Sequence, residues 1–347
     1  MPTFCRHNRF IERCPICSKT LPGNAPAARS SRSPRGARSA SVGDASAGGA
    51  TRSRRPRGET LRVRREGRAE DDGYSSELLP GLHASADARR LAEEIAFSSG
   101  RLLGLQATPP GLYSEARAFA ENDLDQATWI CFLISYLSPL DSPGDGHDPD
   151  DDPFAGVRLA LADGFPDSAF SGGAGDLDEI PLGPRTSHDS TRGTGTLLAY
   201  RQLVRQSGGQ ARWFSGDAAW SPERRFERLF ERLALPGFGR MGRYDLLVTL
   251  GRLGLYDMRA GSLHLAGAGG LSSNDLTTLA AKRLFAIGES IHLERRAGAL
   301  ASAISVPVEV LDLALANWAS PQRATQGFPS DTSDHEALAR AHDALGL

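Results

Sequence analysis

Apolar positions recur along most of this chain at the three- and four-residue spacings of amphipathic helices, and no stretch of useful length reads as a strand. Leu91, Ile95, Leu102 and Leu103 mark a helix over 88–105, with Gly100 as a possible early stop. Residues 115–137 predict a helix or a helix pair ending at Ser138-Pro139, and the part from Trp129 to Leu137 is apolar nearly all round. A helix of that kind belongs at the centre of a core. Further helices are expected at 196–204, 274–286, 291–304 and 308–318, with a last one at 334–345 in an otherwise polar tail that frays after Ser320. Ser221-Pro222-Glu223 sets a capping serine before a proline suited to the first helical position. Phe226, Leu229, Phe230 and Leu233 then form one apolar stripe running to Ala234. The fold class is therefore all-α.

A turn of unusual composition follows that helix. Leu235-Pro236-Gly237-Phe238-Gly239-Arg240 leads into a second helix-compatible run over 241–253. Helix, short glycine turn and helix form the pattern of a helix-hairpin-helix. Two glycines let the backbone turn tightly and bring its N–H groups close to a ligand. Together with the N-terminus of the second helix they make a site for one phosphate of a DNA backbone. Arg240 and Arg243 fall on the first turn of the second helix, where charge-assisted bonds would add to it. A plain helix–helix turn is the alternative.

Cysteine placement adds a second motif. Cys5, His7, Cys14 and Cys17 give C-x-H-x6-C-x2-C, a tetrahedral N/S set suited to zinc. With all four ligands from protein, such a metal is structural and supplies folding energy to a segment with no core of its own. Cys131 falls inside the apolar central helix and reads as a buried, inert thiol.

Charge is unevenly spread. Residues 1–70 hold sixteen Lys or Arg against five Asp or Glu, a net of +11, while the other 277 residues bring the whole chain to –2. A basic arm on an acidic body can hold polyanions without reading their sequence. It can equally fold back on its own body. Between Pro22 and Gly73 the composition of Ala, Ser, Gly, Pro and Arg lacks the apolar side chains that would offset the entropy of ordering. Asp141, Asp145, Asp148 and Asp150–Asp152 read as an acidic solvated loop. A divalent-cation site is the alternative, although their spacing matches no calcium loop. The glycine-rich pieces at 172–175 and 192–196 lack the lysine of a nucleotide-phosphate loop. Charges and a cysteine stand where a signal peptide needs an apolar core. No run reaches the roughly eighteen apolar residues of a membrane span, so a cytoplasmic location without membrane association is expected.

The Leu235–Arg240 turn resembles the hairpin of the helix-hairpin-helix DNA glycosylase superfamily. The chain also resembles the alpha-glutamyl/putrescinyl thymine pyrophosphorylase-like proteins, a group linked to hypermodified phage bases. That second likeness rests on the segment from Phe4 to Cys17, the helix containing Trp129–Pro139, and Asn274–Glu289 with its Ala281-Lys282-Arg283-Leu284-Phe285. The resemblance implies an all-helical body of two lobes with a pocket that receives a base flipped from DNA, in a setting of modified-base chemistry, phage defence or DNA repair. The implied organisation is a zinc knuckle at 1–20, a basic linker at 21–73, a helical lobe with the acidic loop at 74–195, a hairpin lobe at 196–320 and a tail at 321–347.

In the glycosylases a catalytic Asp lies downstream of the hairpin, and bifunctional members carry a Lys at the start of its second helix. That Lys falls on Met241 here, which argues against Schiff-base lyase chemistry, and the Asp falls near Asp257. The implied activity is monofunctional hydrolysis of the N-glycosidic bond of a modified base. A carboxylate close to the sugar would stabilise the positive charge that develops there. Asp257 is the first candidate, followed by Asp245 and Asp275, for which a helix-surface charge and a helix cap are the plainer roles. Trp129, Tyr136 and Tyr256 are the candidates for stacking on the base, with a core role as the alternative for Trp129. Lys282 and Arg283 join Gly237, Gly239, Arg240 and Arg243 as candidate DNA contacts. The competing reading is a non-catalytic DNA-binding protein using the same knuckle and hairpin, and a weaker one is a metal-dependent enzyme using the acidic loop.

Overall fold

The central helix organises the described part of the chain. The structure is a computed structural model, which describes residues 69–141, 152–162, 177–266 and 275–347. Cys5, His7, Cys14 and Cys17, the basic segment through residue 68, most of the acidic stretch and the 172–175 glycines lie outside the described residues. All the described residues fall in the compact unit Val63–Leu347. Among them there are helices and no strand, and no helix is long and apolar enough to cross a membrane.

Helix α1 spans Ser85–Ala107, α2 Gly111–Phe119, α3 Leu124–Leu137, α4 Ala155–Ala162, α5 Gly195–Ser207 and α6 Gln210–Ser215. Then come α7 at Pro222–Arg232, α8 at Arg240–Arg252, α9 at Leu276–Phe285, α10 at Ser290–Ile304, α11 at Val310–Ala319 and α12 at His335–Leu345. Every residue of α3 from Ala127 to Leu137 is buried, as its unbroken apolar run requires. Helices α2, α4, α6 and α8 pack around it. A second group is built on α11, which lies against α1 and α9. One hydrophobic cluster runs from Leu79 to Leu345, so the core continues across the expected lobe boundary at 195/196.

Two local expectations change. Gly100 does not end α1, which continues to Ala107. A Cβ at Gly100 would come within 2.9 Å of the Ser333 carbonyl carbon, and Asp334 N donates to Ala96 O at 2.9 Å. The glycine therefore admits the chain that enters α12 and does not break the helix. The segment after Ser320 also does not fray: Ala324, Thr325, Gln326 and Phe328 are buried. Asn317 both donates to Ala324 O and accepts from Ala324 N, and the Phe328 ring fills the space above Gly104. Polar residues in the tail hid these anchoring contacts from a reading of composition.

The 115–137 region is a pair of helices. Asp123 accepts from Gln126 N at 2.9 Å and caps α3. Ser221 likewise accepts from Arg224 N, with Pro222 in the first helical position of α7.

Candidate functional site

Helix α7 ends at Arg232, residues 233–239 turn, and α8 begins at Arg240. Gly237 has φ +83°, the left-handed region that favours glycine. A Cβ there would come within 2.3 Å of Thr196 Oγ1 and 3.0 Å of Arg192 Cδ. Pro236 and Gly239 are exposed at the tip and Gly237 is half-buried. Between the two glycines the Phe238 ring turns inward and is buried, and Phe238 N donates to Leu235 O at 3.1 Å. Thr196 at the start of α5 donates to Pro236 O at 2.8 Å and holds the turn from the other side.

The arginines expected at this turn lie elsewhere than the sequence suggested. Arg240 points into the body, with 9% of its surface exposed. Its Nε donates to Asp275 Oδ1 and Oδ2 at 3.0 and 2.9 Å, its Nη1 to Leu263 O at 2.9 Å and its Nη2 to Asp312 Oδ1 at 2.7 Å. Arg185 Nη2 donates to the other Asp312 oxygen at 2.9 Å. Burial opposes the charge on Arg240, but Asp312 and Asp275 outweigh it and raise its pKa. Asp312 is likewise desolvated, and Arg240 and Arg185 hold its carboxyl below the usual range. This ion network ties the start of α8 to α9 and α11, and so fixes the hairpin's second helix without touching a ligand. Arg243 is half-buried: its Nη1 donates to Phe230 O at 3.0 Å, and its guanidinium lies 4.3 Å from the centroid of the Phe230 ring. It braces α8 against α7. Lys282 is half-buried in the last turn of α9, and the exposed Arg283 sits 5.2 Å from the Trp318 ring.

From Phe238 a line of rings leads away from the turn. Phe238 lies 5.4 Å from Phe132, and Phe132 stacks on Tyr200 at 3.7 Å with the planes 8° apart. Trp129 follows, 5.4 Å from Phe132 and 5.9 Å from Tyr200. Trp129, Phe132 and Tyr136 share one face of α3, and Thr196, Tyr200 and Val204 share one face of α5, by helical spacing. The line opens into a cleft of about 230 Å³ lined by Asp123, Asp125, Gln126, Trp129, Tyr200 and Gln210, with Arg201 and Val204 at its α5 wall. Along α5, Tyr200 stands about 6 Å and Val204 about 12 Å beyond Thr196, at the helical rise per residue.

Hydrogen bonds set the cleft's floor. Tyr200 Oη donates to Gln210 Oε1 at 2.6 Å, Gln210 Nε2 donates to Asp125 O at 2.8 Å, and Ala211 N donates to Asp125 Oδ1 at 2.9 Å. Of the three rings expected to stack on a base, only Trp129 lines the cleft. Tyr136 is wholly buried, its Oη 3.0 Å from His188 Nδ1, and burial pushes its phenol up to about 12. Tyr256 is buried against Phe214, its hydroxyl 2.7 Å from Thr128 Oγ1. Both rings hold other parts of the wall in place.

The carboxylates divide in a similar way. Asp257 has a side chain 80% exposed, 3.5 Å from Arg225 Nη1, and does not line the cleft. Asp245 is buried and paired with Arg101 at 3.2 Å. Asp275 caps α9, accepts from Thr278 Oγ1 at 2.6 Å and holds Arg240. Asp123 and Asp125, which the sequence pattern did not single out, are the carboxylates at the cleft. Asp123 was findable as a cap before an apolar run, whereas Asp125 and Gln210 meet only through the fold. Among the described residues no group of three or more His, Cys, Asp or Glu could hold a metal ion. Asp141 accepts from Thr325 N, and Asp152 from Phe154 N and Arg158 Nε.

No curated protein and no solved structure matches the chain. Residues 185–327, which run from Arg185 through the turn, Arg240, Asp275 and Asp312 to the buried tail segment, match the family model described as alpha-glutamyl/putrescinyl thymine pyrophosphorylase clade 3.

Proposed function

We propose that this protein is an enzyme that acts on a modified thymine in DNA, holding a backbone phosphate at the Gly237–Gly239 turn and one extruded base in the cleft beside Trp129. The observation that carries this reading is the unbroken line of rings from Phe238 in the turn through Phe132 to Tyr200 and Trp129 at the cleft. It joins a candidate phosphate site to a candidate base site over a helix length that a nucleotide or two can bridge. The family match supports the substrate class, because that family is named for thymines carrying alpha-glutamyl or putrescinyl groups and for pyrophosphorylase chemistry. The reaction in this reading occurs at the base substituent, with a pyrophosphoryl group joining or leaving. Asp123 and Asp125 are the acid–base groups nearest the base.

A second reading, N-glycosidic hydrolysis, is favoured by the same two carboxylates, since a carboxylate beside the sugar stabilises an oxocarbenium-like transition state. Asp257 belongs to it only if its exposed side chain is covered when DNA binds. The test is mass spectrometry after incubation with phage DNA bearing substituted thymines. Altered nucleosides after digestion support the first reading and released free bases the second. Unchanged DNA across a broad panel would overturn both and leave a non-catalytic binding protein. Asp125→Asn should abolish the product while DNA binding persists.

Cys5, His7, Cys14 and Cys17 enter the same proposal as a structural zinc site beside the basic arm. Purified protein should carry about one zinc per chain, and Cys14→Ser with Cys17→Ser should lose it.

A further inference from the structure

Two glutamines line the cleft, and their hydrogen bonding differs. Gln210 is 7% exposed and its carboxamide is committed, donating to Asp125 O and accepting from Tyr200 Oη. Gln126 is half-buried in the first turn of α3, where its backbone N–H is held by Asp123 Oδ1, and its carboxamide makes no hydrogen bond to any described residue. It stands three residues before Trp129, on the same side of the helix. A ring lying against Trp129 would therefore turn its polar edge toward this carboxamide.

A carboxamide offers one acceptor and a pair of donors in a single plane. That matches a base edge carrying a carbonyl beside a ring N–H, as in a thymine-type imide, and forms two parallel hydrogen bonds with it. Asp123 and Asp125 border the same space and can only accept when ionised. They favour a ligand edge that presents an N–H and leave the carboxamide N–H₂ as the natural partner for the base carbonyl. The cleft is small for a drug-sized ligand and suits one flat ring.

We infer that Gln126 is the specificity-determining residue of the cleft, reading the imide edge of a single extruded thymine-type base. The inference rests on the reading of the cleft as a base site. Changing Gln126 to Glu turns a donor–acceptor pair into two acceptors, which repel a thymine carbonyl but still accept from the amino group of cytosine.

The full-length protein is tested by equilibrium binding to otherwise identical duplexes carrying a single unpaired thymidine, a single unpaired deoxycytidine or an unpaired abasic site. An unpaired nucleotide is already easy to extrude. The wild type should bind the thymidine duplex more tightly than the abasic one. Gln126→Glu should lower the ratio of thymidine to deoxycytidine affinity by about tenfold, and Gln126→Leu should bring the thymidine duplex toward the abasic one. The ratio cancels any general loss from added negative charge or from a looser fold.

Equal binding of thymidine and abasic duplexes by the wild type, or a ratio unmoved by Gln126→Glu, would overturn the inference. If Gly239 substitutions still weakened binding in that case, the DNA-directed reading would stand without it. No binding to any duplex at low salt would overturn both.

Discussion

His264 is the residue whose surroundings set a measurable pH dependence. Its ring stacks on Phe230 at 4.1 Å, and burial, with Arg240 and Arg243 close by, lowers its pKa from 6.5 to about 4. Unfolded, the imidazole takes its proton near 6.5; folded, it resists until about 4. Between those values the unfolded chain binds more protons, so stability falls as pH drops through that window and levels off below it. The full loss is about 3 kcal/mol, at 1.36 kcal/mol per pKa unit. His264→Gln should therefore narrow the gap between urea midpoints measured at pH 7 and at pH 4.5. Unchanged curves would remove His264 from the acid response. Arg240 behaves differently: removing it leaves Asp275 and Asp312 buried without their main partner. Arg240→Ala should cost about 3–5 kcal/mol in denaturant unfolding. The change is expected to read as lost stability, because the guanidinium braces helices and its surface is nearly all covered.

At the scale of elements, the α7–turn–α8 unit combines two requirements. Its helix start depends on Ser221, and Ser221→Ala should cost about 0.5–2 kcal/mol. Its turn depends on Gly237, where a side chain would meet both the left-handed backbone and Thr196. Gly237→Ala should destabilise by about 1–3 kcal/mol. Gly239 differs because its φ is –68° and a Cβ there meets nothing within 4 Å. A larger residue at Gly239 should leave stability nearly unchanged while crowding any phosphate at the tip. Comparing thermal unfolding with DNA affinity for the two variants separates a turn that only connects helices from one that binds. Phe238→Ala should cost about 3–5 kcal/mol and loosen the ring line that ends at Trp129.

Over the whole molecule, the described unit places a candidate phosphate site and a candidate base site on one rigid pair of helices, α3 and α5. If the turn and the basic arm both touch phosphate, log affinity for DNA should fall linearly with log salt. Neutralising one phosphate-binding arginine of the arm should make that slope shallower by about 0.9. The hydrophobic core does not divide between the lobes expected from the resemblance, since one cluster spans both. A single cooperative unfolding transition for this unit is the corresponding expectation, checked by coincident far-ultraviolet circular dichroism and tryptophan fluorescence.

Helical class, most helix positions, the Ser221 cap, the central burial of α3 and the glycine turn were all legible in the sequence, because each depends on residues within a turn or two of one another. The direction of Arg240 was not legible. An arginine in the first turn of a helix looks the same whether phosphate or carboxylate awaits it, and here Asp275 and Asp312 arrive from helices 35 and 72 residues away in sequence. The cleft was hidden for the same reason. Asp125, Trp129, Tyr200 and Gln210 lie on three helices, and only packing of α5 and α6 against α3 makes them neighbours. Local order follows from local spacing, whereas the partner of a long polar side chain is decided by which distant surface the core brings to it.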